Sequence, residues 1–137
     1  MLYLAIVGSS IGHPLMVHIV LIEDNPQTSA LIRKILQFHG YNVTCAATGL
    51  DGIRCVETLA PDLVLLDIEL PDFPGETVAQ YLRDWLYHIP IVAITATTSV
   101  VVRRLAMATG CREVISKPID TRQFPMQIAK YLAAVTR

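Results

Sequence analysis

Polar side chains close the apolar runs of this 137-residue chain in a repeated way. Glu23 and Asp24 follow Ile19–Ile22, Asp67 follows Leu63–Leu66, Thr95 follows Ile91–Ile94, and Lys117 comes just after Val114 and Ile115. Charge is common where strands end, which accounts for any one of these residues but poorly for the set. Brought to one rim, they make three carboxylates, a hydroxyl and an ammonium. Crowded acids repel and raise one another's pKa, so such a rim calls for a cation. A few carboxylate oxygens suit Mg²⁺, which keeps several waters and completes its octahedron with phosphate oxygens. A carboxylate beside that ion is a nucleophile toward a phosphoryl group, because metal and lysine neutralise the charge on the transferring oxygens. The product is an aspartyl phosphate.

Convergence of these residues requires a particular scaffold, and the hydrophobic pattern supplies one. From Val17 onward, short β-branched runs alternate with segments of helical period, as in a parallel sheet covered by helices. Ile19–Ile22 is apolar at every position, as a strand buried on both faces should be. Asn25 and Pro26 offer a cap and a first-turn proline for a helix carrying Leu31, Ile32, Ile35 and Leu36, which stops at His39 and Gly40. The unit repeats with a strand over 42–46 and a helix over 48–59, then with a strand running into Asp67. Pro71, Pro74 and Gly75 make the next segment a loop. Val78, Tyr81, Leu82 and Trp85 mark a third helix face. A fourth strand ends at Thr95, a fourth helix covers 99–109, a brief fifth strand covers 113–115, and a last helix covers 121–135 with Pro125 in its first turn. Five β/α units make one doubly wound α/β sandwich, and in such sheets ligands bind outside the carboxyl ends of the strands.

Composition excludes other classes. The chain is 53% hydrophobic and 17% charged, which opposes a disordered linker and favours a large core. Eleven basic and twelve acidic residues give a net charge of −1, so no global positive field recruits nucleic acid or an anionic membrane. At one domain's worth of residues, the sequence is expected to carry no separate DNA-binding output module. Cys45, Cys55 and Cys111 form no metal or disulfide pattern with one another or with the four histidines; they read as buried free thiols, and the cytoplasm is the expected compartment. No stretch reaches a membrane span's length. Residues 1–15 read as a non-core extension, because Met16 opens a second, self-sufficient start.

The ordered motifs resemble the receiver domain of two-component response regulators, in its chemotaxis-type single-domain form. The pieces are Glu23 with Asp24; Leu65, Leu66 and Asp67 followed by Pro71 and Gly75; Thr95 with Ala96; and Lys117 with Pro118. The match covers Val17 to about Val135, and the receiver domain is expected over 16–137. The resemblance implies a flavodoxin-like (βα)5 sandwich with a five-stranded parallel sheet in the order 2-1-3-4-5. Asp67 would accept a phosphoryl group from phosphohistidine on a histidine kinase or phosphotransfer protein. Asp24, Asp67 and the backbone carbonyl of Glu69 would bind Mg²⁺ directly, with Glu23 acting through water. Thr95, Lys117 and the backbone N–H of Ala96 would contact phosphoryl oxygens, and the Lys117–Pro118 bond would be cis. The module would catalyse its own phosphorylation and dephosphorylation while switching contacts with an output protein that the sequence does not name.

Four positions depart from the family pattern or vary within it. Glu23 replaces the commoner aspartate. Val114 stands where receivers usually carry an aromatic residue that swings inward as the threonine moves. Glu69 and Thr97 hold the two variable positions that, in the family, tune phosphoryl hydrolysis. Val100, Val101 and Val102 cannot all face the sheet; with Val114 they read as an apolar patch for a partner or for a second copy docking through helix 4, strand 5 and helix 5. Arg103 and Arg104 read as a solvated helix face, and Tyr81, Trp85 and Tyr87 as packing and rim residues. Competing readings are a haloacid-dehalogenase-like aspartyl phosphatase, a flavodoxin-like cofactor binder, and a degenerate receiver acting as a scaffold. The first is disfavoured because the nucleophile lies on the third strand with no cap domain. The second is disfavoured because Glu23 and Asp24 would repel a phosphate, and the third because every phosphoryl-chemistry position is filled.

Overall fold

Each apolar run forms a strand and each periodic segment a helix in the computed structural model, which describes residues 16–86 and 88–132. The first half comprises β1 (His18–Ile22), α1 (Pro26–Phe38), β2 (Asn42–Ala46), α2 (Gly49–Leu59) and β3 (Leu63–Asp67). The second half comprises α3 (Gly75–Leu86), β4 (Ile91–Thr95), α4 (Val100–Ala108), β5 (Glu113–Ser116) and α5 (Gln123–Leu132). All neighbouring strands are parallel, in the order β2-β1-β3-β4-β5. This is the expected doubly wound α/β sheet.

Alternation along the strands divides the interior in two. Ile19, Leu21, Leu63, Leu65, Val92 and Ile94 pack with Ile32 and Leu36 of α1 and Phe124 and Ile128 of α5. Val20, Ile22, Val64, Leu66 and Ala93 pack with Val56 of α2, Val78 and Leu82 of α3, and Ala106 of α4. The central strands are thus apolar on both sides, and each fully buried Leu or Ile contributes roughly 1.5–3 kcal/mol of transfer free energy.

Local chemistry sets the ends. Asn25 accepts from the N–H groups of Gln27 and Thr28 with Pro26 next to it, and α1 gives way to Gly40 at φ +89°. Thr48 and Ser99 cap α2 and α4, just outside the helices that the sequence reading began with them. Asp120 accepts from Arg122 N and Gln123 N, so α5 starts two residues later than Thr121. Gly75 opens α3 so close to β3 that a Cβ there would lie 2.5 Å from the Ile68 Cα. That glycine brings the α3 end against the strand carrying Asp67.

Several expectations change. Trp85 is 70% exposed and Tyr81 lies at the surface, whereas Val78, Ala79 and Leu82 are buried. The inward face of α3 therefore runs through Gly75, Val78, Ala79 and Leu82, and Tyr81 instead donates to Glu57 and packs beside Trp85. Val114 is only 8% exposed and belongs to the interior; Val100 and Val101 are the exposed members of the expected patch. Cys111 is buried, and burial, with Glu76 adding to it, pushes its thiol up to about 12. Cys45 and Cys55 are free but only half-buried. Residues 1–15, Tyr87 and residues 133–137, over which the last helix is expected to run on to 135, lie outside the described residues.

Candidate functional site

The parallel sheet puts every sequence-selected residue at one rim. Asp67 is the last residue of β3 and Thr95 the last of β4; Glu23 follows β1, and Lys117 follows β5. Glu23, Asp67 and Thr95 are buried, Asp24 is exposed, and Lys117 is half-buried. Carboxylate oxygens of Glu23, Asp24 and Asp67 lie within 4.8 Å of one another. The Lys117 ammonium reaches Glu23 Oε1 at 2.8 Å and Asp67 Oδ2 at 3.2 Å. Lys117 N donates to Thr95 O at 2.8 Å, and the Lys117–Pro118 bond is cis.

The electrostatics of the rim are uneven. Burial pushes Asp67 up to about 7, with the Glu23 carboxylate adding to the rise and the Glu69 N–H and Lys117 opposing it. Glu23 feels burial too, but Lys117 and the Asn25 N–H outweigh it and hold its pKa below the ordinary value. Lys117 is raised: the two carboxylates overcome the effect of its burial. Near neutral pH the pocket thus carries one firm ion pair, Glu23 with Lys117, and a second carboxyl group that shares its proton with solvent.

These side chains fit a hard divalent cation. Glu23 Oε1 is buried and has no aligned hydrogen-bond donor despite the nearby Lys117 ammonium. The donor set is all oxygen, and exposed Asp24 leaves one side open to water, as Mg²⁺ prefers. Positive charge placed there would draw the proton off Asp67.

One hydrogen bond is barely foreshadowed by residue spacing. Thr95 Oγ1 donates to Glu69 Oε2 at 2.8 Å and accepts from Thr97 N at 3.0 Å. In the receiver pattern Glu69 is expected to act through its backbone carbonyl and to hold a variable position. Its N–H also donates to Asp67 Oδ1 at 3.0 Å, curling the chain so that the Glu69 side chain meets β4. Asp72 was missed as well: it accepts from Gly49 N and Leu50 N, tying the loop after β3 to α2. Only the two-residue interval between Asp67 and Glu69 hinted at the first contact, and nothing local hinted at the second.

The family model for the response regulator receiver domain matches residues 19–129. This chain belongs to the response regulator receiver family. It is 34% identical over 116 residues to the polar-differentiation response regulator DivK of Brucella ovis, a match covering 83% of this chain and 94% of that protein. A CheY-like receiver domain protein from Methanospirillum hungatei superposes with a TM-score of 0.83 at 25% identity, over 87% of this chain and 95% of the other. The receiver domain of sensor histidine kinase PA1611 from Pseudomonas aeruginosa, solved with a magnesium ion in its active-site cleft, gives 0.80 at 27% identity, over 86% and 98%.

Within this receiver, Val114 is a small side chain buried in β5. Its carbonyl accepts from Arg103 Nη2 at 3.2 Å, and Arg103 Nη1 donates to Ser116 Oγ at 3.3 Å. Arg103 therefore joins α4 to β5 instead of standing free in solvent. Beside it an open groove of about 720 Å³ is lined by Val100, Met107, Val114, Gln127, Glu113 and the three arginines Arg103, Arg104 and Arg112. Among the described residues, no helix is long and apolar enough to cross a membrane.

Proposed function

We propose that this receiver takes a phosphoryl group onto Asp67 from phosphohistidine on a histidine kinase or phosphotransfer protein, in a Mg²⁺-dependent reaction, and so switches its protein contacts. The observation that carries the reading is the buried Asp67 carboxyl group, 3.2 Å from the Lys117 ammonium and grouped with Glu23 and Asp24. Asp24, Asp67 and the Glu69 carbonyl would hold the ion, with Glu23 acting through water. When bound, Mg²⁺ supplies positive charge that offsets the negative charge of the phosphoryl oxygens.

The chain's own groups do the rest. An Asp67 carboxylate oxygen attacks phosphorus, the P–N bond of the donor breaks, and the imidazole nitrogen keeps the electron pair. Lys117, already beside Asp67, neutralises a phosphoryl oxygen; the Thr95 hydroxyl and the Ala96 N–H take others. Water attack on the acyl phosphate later returns the carboxylate and inorganic phosphate. The protein acts on itself and is a signalling module rather than an enzyme with a separate substrate. Its free thiols suit a reducing compartment such as the cytoplasm.

Output would leave through the α4–β5 groove, whose exposed Val100 and three arginines offer apolar and cationic contacts to an output protein or a second copy. Incubation of the full chain with acetyl phosphate and Mg²⁺ tests the chemistry by intact mass. The wild type should gain one phosphoryl group and Asp67→Asn none; equal gain on both would sink the assignment.

A further inference from the structure

The Thr95 hydroxyl is spoken for. It has one proton, and that proton points to the Glu69 carboxylate at 2.8 Å. A phosphoryl oxygen on Asp67 would need the same proton. Thr95 is fully buried at the end of β4, so it cannot turn to water, whereas Glu69 is exposed and can leave without a desolvation penalty. A phosphoryl group brings roughly −1.5 to −2 charges, which both competes for Thr95 and repels Glu69.

Thr95 is also the first member of a hydrogen-bonded series. Thr97 N donates to Thr95 Oγ1, Ser99 N donates to Thr97 Oγ1 at 3.1 Å, and Val102 N donates to Ser99 Oγ at 3.4 Å. Ser99 is the N-cap of α4, the helix that carries Val100 and Arg103 into the groove. This path from site to surface involves no aromatic side chain at Val114.

Resting on the reading of Asp67 as phosphoacceptor, we propose that Glu69 is a latch. As a positioning residue acting through Thr95, its carboxylate holds the hydroxyl in the unphosphorylated protein and slows phosphoryl uptake. When the phosphoryl group displaces it, Thr95 shifts partners and the Thr97–Ser99 series carries the change to the start of α4.

The test uses the full chain at fixed pH, with acetyl phosphate and Mg²⁺, and follows uptake by intact mass. Glu69→Ala should take up phosphoryl about tenfold faster, the scale of one charge-assisted hydrogen bond. Glu69→Gln, whose amide oxygen still accepts but carries no charge, should fall between Glu69→Ala and the wild type. In a Thr95→Val background both substitutions should lose their effect. A tenfold gain that persists in Thr95→Val means that Glu69 merely repels the anionic donor, and overturns the latch.

A second readout needs no donor. In the unphosphorylated protein, Glu69→Ala should shift the backbone amide resonances of Thr97, Ser99 and Val102, and unmoved resonances overturn the relay. If the wild type takes up no phosphoryl group, the Asp67 assignment fails together with the latch. If it does so at the same rate as Glu69→Ala, only the latch fails.

Discussion

The sheet of this receiver has two contrasting regions: an interior whose buried side chains, among the described residues, are apolar, and a rim in which buried Glu23 and Asp67 face Lys117. Leu63, Val64, Leu65 and Leu66 are fully buried and gain from it, while one residue later Asp67 is equally buried and is opposed by it. The same strand thus passes from stabilising to destabilising within a single residue. What the interior contributes lets the rim hold an arrangement that would not persist alone.

That contrast predicts opposite signs for substitutions on either side of the boundary. The largest effect should come from Leu65→Ala, which opens a cavity between β3 and the α1 and α5 side and should destabilise the protein by about 3–5 kcal/mol in urea denaturation. A loss under 1 kcal/mol would break the comparison.

Next, Asp67→Asn should stabilise the metal-free protein, with an effect that depends on pH. The folded state holds the Asp67 proton up to about pH 7, and the ordinary value is 3.8. The stability tied to that proton is therefore fully present below about 3.8 and is lost as pH rises through about 7. The variant's advantage should reach up to about 4 kcal/mol above pH 7 and fade in acid. A pH-independent difference between the two proteins would contradict the rim's assigned electrostatics.

Mg²⁺ should then reverse the rim's penalty in the wild type. At ten times its dissociation constant, the ion should add about 1.4 kcal/mol, read as a rise in Tm. Asp24→Asn should flatten that response, because Asp24 is the exposed member of the acidic trio, while a milder interior change such as Ile94→Val should leave it intact. Smallest is Asn25→Ala, which removes the α1 cap next to Glu23 and should lose about 1 kcal/mol without altering Mg²⁺ affinity. A changed affinity there would show that the boundary between scaffold and site lies further from the rim.

The same boundary separates what could be read in the sequence from what could not. Strands buried on both faces leave uninterrupted apolar runs, so their ends, and with them Glu23, Asp67, Thr95 and Lys117, stand out in the chain. The Glu69–Thr95 hydrogen bond joins the loop after β3 to the end of β4, and the curvature of that loop depends on backbone contacts such as Glu69 N to Asp67 Oδ1. Asp72 capping α2 is likewise non-local, 23 residues from Gly49. Trp85 misled because its spacing from Val78 suits a helix face, yet the face that packs is set by Gly75 and Ala79, small enough to bring α3 onto the sheet. Val114 was placed on the surface by association with its valine neighbours on α4, whereas strand alternation puts it with Val92's neighbour Ala93 beneath that helix.

Cys111 has a use of its own. Its thiol is buried in the core that α2, α3 and α4 share, and its high pKa leaves almost no thiolate at neutral pH, so a thiol reagent can find it only during an excursion in which that side of the molecule opens. The half-buried Cys45 and Cys55 supply an internal reference from the opposite half of the sheet. The ratio of labelling rates at these natural thiols is therefore a clock for how often that face of the sheet opens, and it runs in the unmodified protein without any attached probe.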